Sequence, residues 1–181
     1  MRLRQENRLN PEDVETITVI GGTGATRLLS EPIELKRRPQ LSIDGKYSIP
    51  FTTAVMMVRG NVTLRDYTEE GLRDPAVLAM ADRVGYRADP DAALPIGGQS
   101  ALSRPMVEIR TRDGRVLRCT PDGVPGDPAH PVKWDLLQAK FRDCISFAHR
   151  PLTNCGGEHM IDLVHNFDRL DDVSEILDLF R

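Results

Sequence analysis

An α+β fold is predicted here: a small, mainly antiparallel sheet with helices packed on it and a helical C-terminal tail. Three features of the 181 residues predict it. The first is "MVEIRTRDGRVLRCT" (106–120), two β-prone runs around Asp113-Gly114, a pair favoured in tight hairpin turns. The second is "IPFTTAVMMVR", Ile49–Arg59, apolar almost all round, as a buried central helix is. The third is the amphipathic helical periodicity that begins at Trp134 and recurs to the end of the chain.

In chain order, residues 1–10 are charged and suit the tail of a helix that Pro11 breaks. Val14–Ile20 is rich in Val, Ile and Thr and reads as a strand, ended by Gly21–Gly24. Residues 25–45 contain Pro32, Pro39 and the basic cluster Lys36, Arg37 and Arg38, and read as loop with one helical turn at 25–30. Ser48 is placed as the N-cap of the 49–59 helix, with Pro50 in its first turn and Gly60-Asn61 as its stop. Thr63–Leu72 is a short helical or turn segment, and Asp74 caps a helix from Pro75. Val84–Ala88 is a strand, 89–103 and 121–133 are loops, and the hairpin lies between them. Trp134–Ala148 is a helix with Leu137, Phe141, Cys144, Ile145 and Ala148 on one face. Residues 149–158 are loop, and Met160–Leu170 and Val173–Phe180 are two short amphipathic helices.

Composition narrows the function classes. Hydrophobic residues make up 40%, charged residues 28%, and the formal net charge is -3. That balance is globular and carries no basic footprint for nucleic acid or a membrane surface. The longest apolar run, Ala54–Val58, is far below the roughly 20 residues that span a bilayer. "MRLRQENRLNPEDVE" has no apolar segment of a signal peptide. Three separated cysteines, Cys119, Cys144 and Cys155, fit a reducing compartment, so a cytoplasmic location is expected.

"TITVIGGTGATR" (16–27) raises dinucleotide binding, since a strand, a glycine turn and a helix N-terminus hold a pyrophosphate in many folds. Gly21, Gly22 and Gly24 fill the early positions, and Asp44 stands about where a ribose-binding acid would. The final glycine position is Arg27, however, Pro32 and Pro39 leave no room for the full crossover helix of a βαβ unit, no good second strand leads into Asp44, and no later βα alternation follows. The turn therefore reads as a strand end, and no cofactor is expected. Cys155, Glu158, His159 and His165 match no structural zinc spacing, so no metal is expected either.

Residues 44–84, "DGKYSIPFTTAVMMVRGNVTLRDYTEEGLRDPAVLAMADRV", resemble the MmgE/PrpD family, which includes 2-methylcitrate dehydratases, cis-aconitate decarboxylase and iminodisuccinate epimerase. The resemblance rests on Lys46-Tyr47-Ser48-Ile49-Pro50-Phe51 opening into an apolar helix, then Arg59-Gly60, Thr68-Glu69-Glu70 and Leu72-Arg73-Asp74-Pro75. It continues through "VEIRTRDGRVLRC", "GDPAHPVKWDLL", "KFRDC" and "LVHNFDRLDDVSEILDLF".

The resemblance implies a C-terminal α+β domain, residues 1–158, followed by helices at 159–181 that in full-length relatives pack on a separate helical domain. It implies a lyase or isomerase domain, or a split subunit, acting on a small di- or tricarboxylate. The family's acid/base His, Asp and Lys residues belong mostly to the helical domain, and no residue here matches them. No catalytic residue is therefore assigned, and the chain is expected to be inactive alone. Substrate-binding candidates are Lys46, Ser48 and Phe51. Lys46 offers charge, and Ser48 offers a hydroxyl at a helix N-terminus or serves only as its cap. Phe51 stands where cis-aconitate decarboxylase has an active-site tyrosine. The expected partner is a second copy or a separate helical subunit, which would cover Met160, Ile161, Val164, Phe167, Val173, Ile176, Leu177 and Phe180. A non-catalytic interaction module on the same fold is the alternative, with a nucleotide-binding domain behind it.

Overall fold

The computed structural model describes residues 2–22, 26–89, 106–123, 125–126, 128–149, 152 and 154–179. Two compact units divide the chain, residues 1–124 and residues 125–181.

In the first unit, a short helix α1 (Arg2–Glu6) and a 3-10 turn at Pro11–Asp13 lead into β1 (Val14–Gly21). A π-helical turn (Thr26–Ser30) and the short helices α2 (Ile33–Arg37) and α3 (Ser42–Lys46) follow. Next come the long helix α4 (Ile49–Arg59), a 3-10 turn (Leu64–Tyr67), α5 (Glu69–Leu72) and α6 (Pro75–Ala81). The strands β2 (Val84–Ala88), β3 (Met106–Thr111) and β4 (Val116–Cys119) complete the unit.

The four strands form one sheet in the order β2-β1-β3-β4. The hairpin β3–β4 and the pair β1–β3 are antiparallel, whereas β1–β2 is parallel. A parallel pair requires a crossover, and here residues 22–83, with α2 to α6, supply it. The expectation that Pro32 and Pro39 leave no room for a crossover helix is corrected: the main helix of the crossover is α4, which starts after both prolines. The turn at the hairpin is as expected: Gly114 has φ +90°, and Asp113 Oδ1 accepts hydrogen bonds from the Thr111 hydroxyl and the Arg115 N–H.

Strand register explains the core. Val84, Ile17, Ile109 and Leu117 line up across the sheet on one face, where period-2 alternation puts every second side chain. Val84, Ile17 and Ile109 are buried together with Phe51, Ala54 and Val55 of α4 and Val77, Met80 and Ala81 of α6, and Leu117 packs half-buried against them. On the opposite face the row Gly85, Thr18, Glu108, Arg118 is polar, and Arg118 pairs with Glu108 at 2.8 Å.

Two expected loops contain helix. Residues 25–45 hold α2 and α3, each only five residues long, too short for a 3.6-residue pattern to be visible. In the second unit, α7 (Trp134–Ile145) is followed by α8, which begins at Asn154 inside the expected loop 149–158. Gly156-Gly157 disfavours helix by about 1 kcal/mol per residue. The segment is helical all the same, and it lies close to α7: a Cβ on Gly157 would stand 2.8 Å from Ile145 Cδ1, the far end of a flexible side chain. Arg142 of α7 also grips both carboxylate oxygens of Glu158 on α8 at 2.7 Å. A 3-10 turn (Phe167–Arg169) and α9 (Ser174–Asp178) end the unit. No helix among the described residues is long and apolar enough to cross a membrane.

Candidate functional site

The basic cluster Lys36, Arg37 and Arg38 ties down the segment that leads into Lys46–Phe51, the opening of the family resemblance. Lys36, Arg37 and Arg38 had the look of a solvated loop, and the structure corrects that. Lys36 Nζ donates to the Tyr47 carbonyl at 2.7 Å. Arg37 donates from Nε and Nη2 to the Val84 carbonyl at 3.2 and 3.0 Å, covering the first residue of edge strand β2. Arg38 pairs with Asp82 at 2.6 Å. The three cations therefore tie α2 to the start of α4 and to the end of α6. The contacts lie between residues up to 47 positions apart, which is why a local sequence reading missed them.

Ser48 caps α4. It is 2% exposed, its hydroxyl donates to the Lys36 carbonyl, and it accepts the Phe51 N–H at 3.0 Å. Phe51 is fully buried in the core and meets Tyr67 with ring centroids 6.3 Å apart. Lys46 is exposed at the end of α3, with its ammonium 5.8 Å from the Tyr67 ring centroid. Ser48 and Phe51 thus lie inside the fold, while Lys46 stands at the surface. Tyr67 is the common neighbour of Lys46 and Phe51, and sequence reading did not single it out.

Gly45 packs closely in that neighbourhood. A Cβ there would lie 2.9 Å from Leu72 Cδ2 and 3.2 Å from Tyr67 Cδ1, so the bare backbone of α3 rests on these two side chains. Beside Tyr67 an open cleft of about 500 Å³ runs between residues 38–42 and the segment that carries Tyr67, Glu69 and Arg73. Arg38 is held by Asp82, and Arg73 pairs with Glu69 at 2.7 Å. Among the described residues no carboxylate pairs with Lys46. Lys46 does not line the cleft, but its ammonium stands against the Tyr67 ring, which does, and a cation without a carboxylate partner suits a carboxylate ligand.

A second ionic cluster holds the scaffold behind it. Arg59, the last residue of α4, reaches Asp66 at 2.6 Å and Asp74 at 2.7 Å. Asp66 is 1% exposed and also accepts the N–H and hydroxyl of Thr63. Asp74 caps α6 by accepting the Ala76 and Val77 N–H groups. Burial works against ionisation of Asp74. The Arg59 guanidinium and the two backbone donors outweigh it and hold the carboxyl below its ordinary value.

The nucleotide features are placed differently. Gly21 ends β1, and the Gly22 carbonyl accepts the Tyr86 hydroxyl at 2.6 Å. Gly24 lies outside the described residues. Asp44, at the ribose-acid spacing, accepts the Leu41 N–H and so caps α3. No group of three metal-ligating side chains occurs among the described residues. Glu158 is held by Arg142, and the His165 ring packs on Trp134 at 5.0 Å. Of the C-terminal apolar stripe, Met160 and Ile161 are buried, Ile176 is half-buried, and Val164, Phe167, Val173 and Leu177 are exposed. Phe180 lies outside the described residues.

Comparison with known proteins gives one finding of substance. A family model, the MmgE/PrpD C-terminal domain, matches residues 1–151. No curated protein matches the chain.

Proposed function

The chain belongs to the MmgE/PrpD C-terminal domain family, and we propose that it is the carboxylate-holding part of a lyase or isomerase whose acid/base residues come from a separate helical segment. The substrate class is a small di- or tricarboxylate, as the family resemblance implies. The observation that carries this reading is Lys46, an exposed ammonium 5.8 Å from the centroid of the Tyr67 ring and unpaired with any carboxylate among the described residues. Removing a proton next to a carboxylate builds negative charge, and a fixed cation stabilises it. The proton itself needs a positioned general base, typically worth roughly 10²–10⁴-fold in rate. That base would come from the helical segment, placed in sequence before this domain or on a separate chain.

Within this proposal Lys46 touches substrate, while Ser48 and Phe51 hold the α3–α4 junction that presents it. The purified chain, assayed on 2-methylcitrate, cis-aconitate and iminodisuccinate, is expected to give no turnover above the buffer rate. Turnover that survives repurification and is lost in Lys46→Gln would overturn the need for a second segment.

A further inference from the structure

Another open cleft lies where the end of α1 meets the end of α4. Arg4, Arg8 and Arg59 line an opening of about 480 Å³, together with Gln5, Asn10 and Asn61. Among the described residues no acid lines it. Arg59 is already held by Asp66 and Asp74. Arg4 and Arg8 have no ion pair among the described residues. Glu6, the only acid of α1, pairs with Arg2 at 3.9 Å, and Asp13 accepts the Asn10 N–H at 2.8 Å. Two uncompensated guanidiniums therefore share one cleft. Arg8 is also the one described non-glycine residue with a positive φ, +50°. Glycine takes that left-handed backbone without steric cost, and a residue with a Cβ does not. The turn carries Leu9 into the core, 3% exposed, and leaves Arg8 exposed on the cleft wall. Glycine would serve the turn better, so the turn does not account for an arginine there.

We propose that this cleft binds a phosphate group, free or carried on a small molecule, through Arg4 and Arg8. The guanidinium fork matches phosphate oxygens, and its charge persists across the physiological pH range. A phosphate group has three strong acceptor oxygens and a charge of about −1.5 to −2 at neutral pH, which two uncompensated guanidiniums balance. A single carboxylate, with one charge and two oxygens, would leave one guanidinium unmatched. Gln5, Asn10 and Asn61 bring further amide donors to the same opening. Small-ligand pockets run to roughly 300–1,000 Å³, so the opening admits a small phosphorylated molecule as well as the free ion. Lys46 does not line this cleft, and the phosphate is held independently of it.

The test is NMR of backbone amides in the full chain, titrated at fixed low ionic strength with inorganic phosphate and with glycerol 3-phosphate. Tricarballylate and chloride are the comparison anions. Saturable shifts are expected at residues 4–10 and at Gly60 and Asn61 with both phosphates, and not with chloride. Tighter binding of glycerol 3-phosphate would support a phosphate read on a small molecule, and equal binding would support the free ion. Arg4→Gln should weaken binding about tenfold, the range for a hydrogen bond to a charged group. Arg8→Gly should weaken it similarly and leave the circular dichroism spectrum unchanged, because glycine suits the left-handed backbone. No saturable shift at these residues, or undiminished affinity in a well-folded Arg8→Gly, would overturn the site. Tricarballylate binding there as tightly as phosphate would overturn the choice of ligand. Variants that lower the thermal midpoint of a chain that shows no phosphate shift would assign the arginines to the helix-end dipoles alone and reject the site.

Discussion

The two units of this chain are held together in different ways. In residues 1–124 a continuous core joins β1, β2 and β3 to α4 and α6, with Phe51, Val14, Val55, Val77 and Val84 fully buried. In residues 125–181 no residue of α7 is buried, and Trp134, Leu136, Leu137, Phe147, Val164, Phe167, Val173 and Leu177 stay exposed. Its helices are joined by an exposed Arg142–Glu158 pair, the Trp134–His165 contact and the Gly157 approach. Burial of apolar area is the dominant favourable term in folding, so the first unit should be much the more resistant to opening. The candidate site sits on that first unit, where Lys46 stands against the Tyr67 ring.

Three substitutions sharpen this comparison. The largest effect belongs to Phe51→Ala, which empties a fully buried aromatic site at the α4–Tyr67 contact. It should cost about 4 kcal/mol, a large share of the roughly 5–15 kcal/mol that holds an ordinary domain folded. Chemical denaturation would read this as a lower midpoint with an unchanged slope.

A smaller, pH-dependent effect belongs to Asp74. Its carboxyl is held below its ordinary value of 3.8, so it stabilises the fold fully above that value. The contribution fades as pH falls through the folded value, because the protonated acid loses Arg59. Asp74→Asn keeps an oxygen for the α6 cap and removes the charge. Its thermal midpoint should be lower than that of the parent at neutral pH, and the two should converge as the pH drops below the ordinary value. A constant gap at all pH values would mean that the cap, not the ion pair, sets the cost.

The smallest effect belongs to Arg142→Ala in the second unit. Exposed ion pairs contribute little and are screened by salt. Hydrogen exchange on the full chain should show faster opening of α7 and α8 and unchanged protection of β1 and α4. Loss of protection in β1 would mean that the two units open together.

These contrasts also mark what the sequence could convey. Ser48, Pro50 and Gly60 punctuate α4 by local chemistry, and the structure has the cap, the first-turn proline and a left-handed Gly60 at φ +79°. Asp74-Pro75 and Asp113-Gly114 were legible for the same reason. What was not legible depends on distant partners. The parallel β1–β2 pairing rests on a register between residues 17–21 and 84–88 that no local pattern encodes. Lys36, Arg37 and Arg38 look solvated until the carbonyls of Tyr47 and Val84 and the carboxylate of Asp82 are in place. At the candidate site, Lys46 was visible as a charge, whereas Tyr67 lies 21 positions further on and meets it only in the folded chain, where α3 packs on the turn that carries Tyr67.

The most direct measurement is turnover of a small polycarboxylate by this chain mixed with the separately expressed helical domain of a full-length family member. The expected result is no turnover by either part alone, turnover by the mixture, and a loss of about tenfold or more in kcat/KM when the chain carries Lys46→Gln. A mixture that associates but stays inactive, or one whose kcat/KM is untouched by Lys46→Gln, would contradict the assignment of this chain as the carboxylate-holding part.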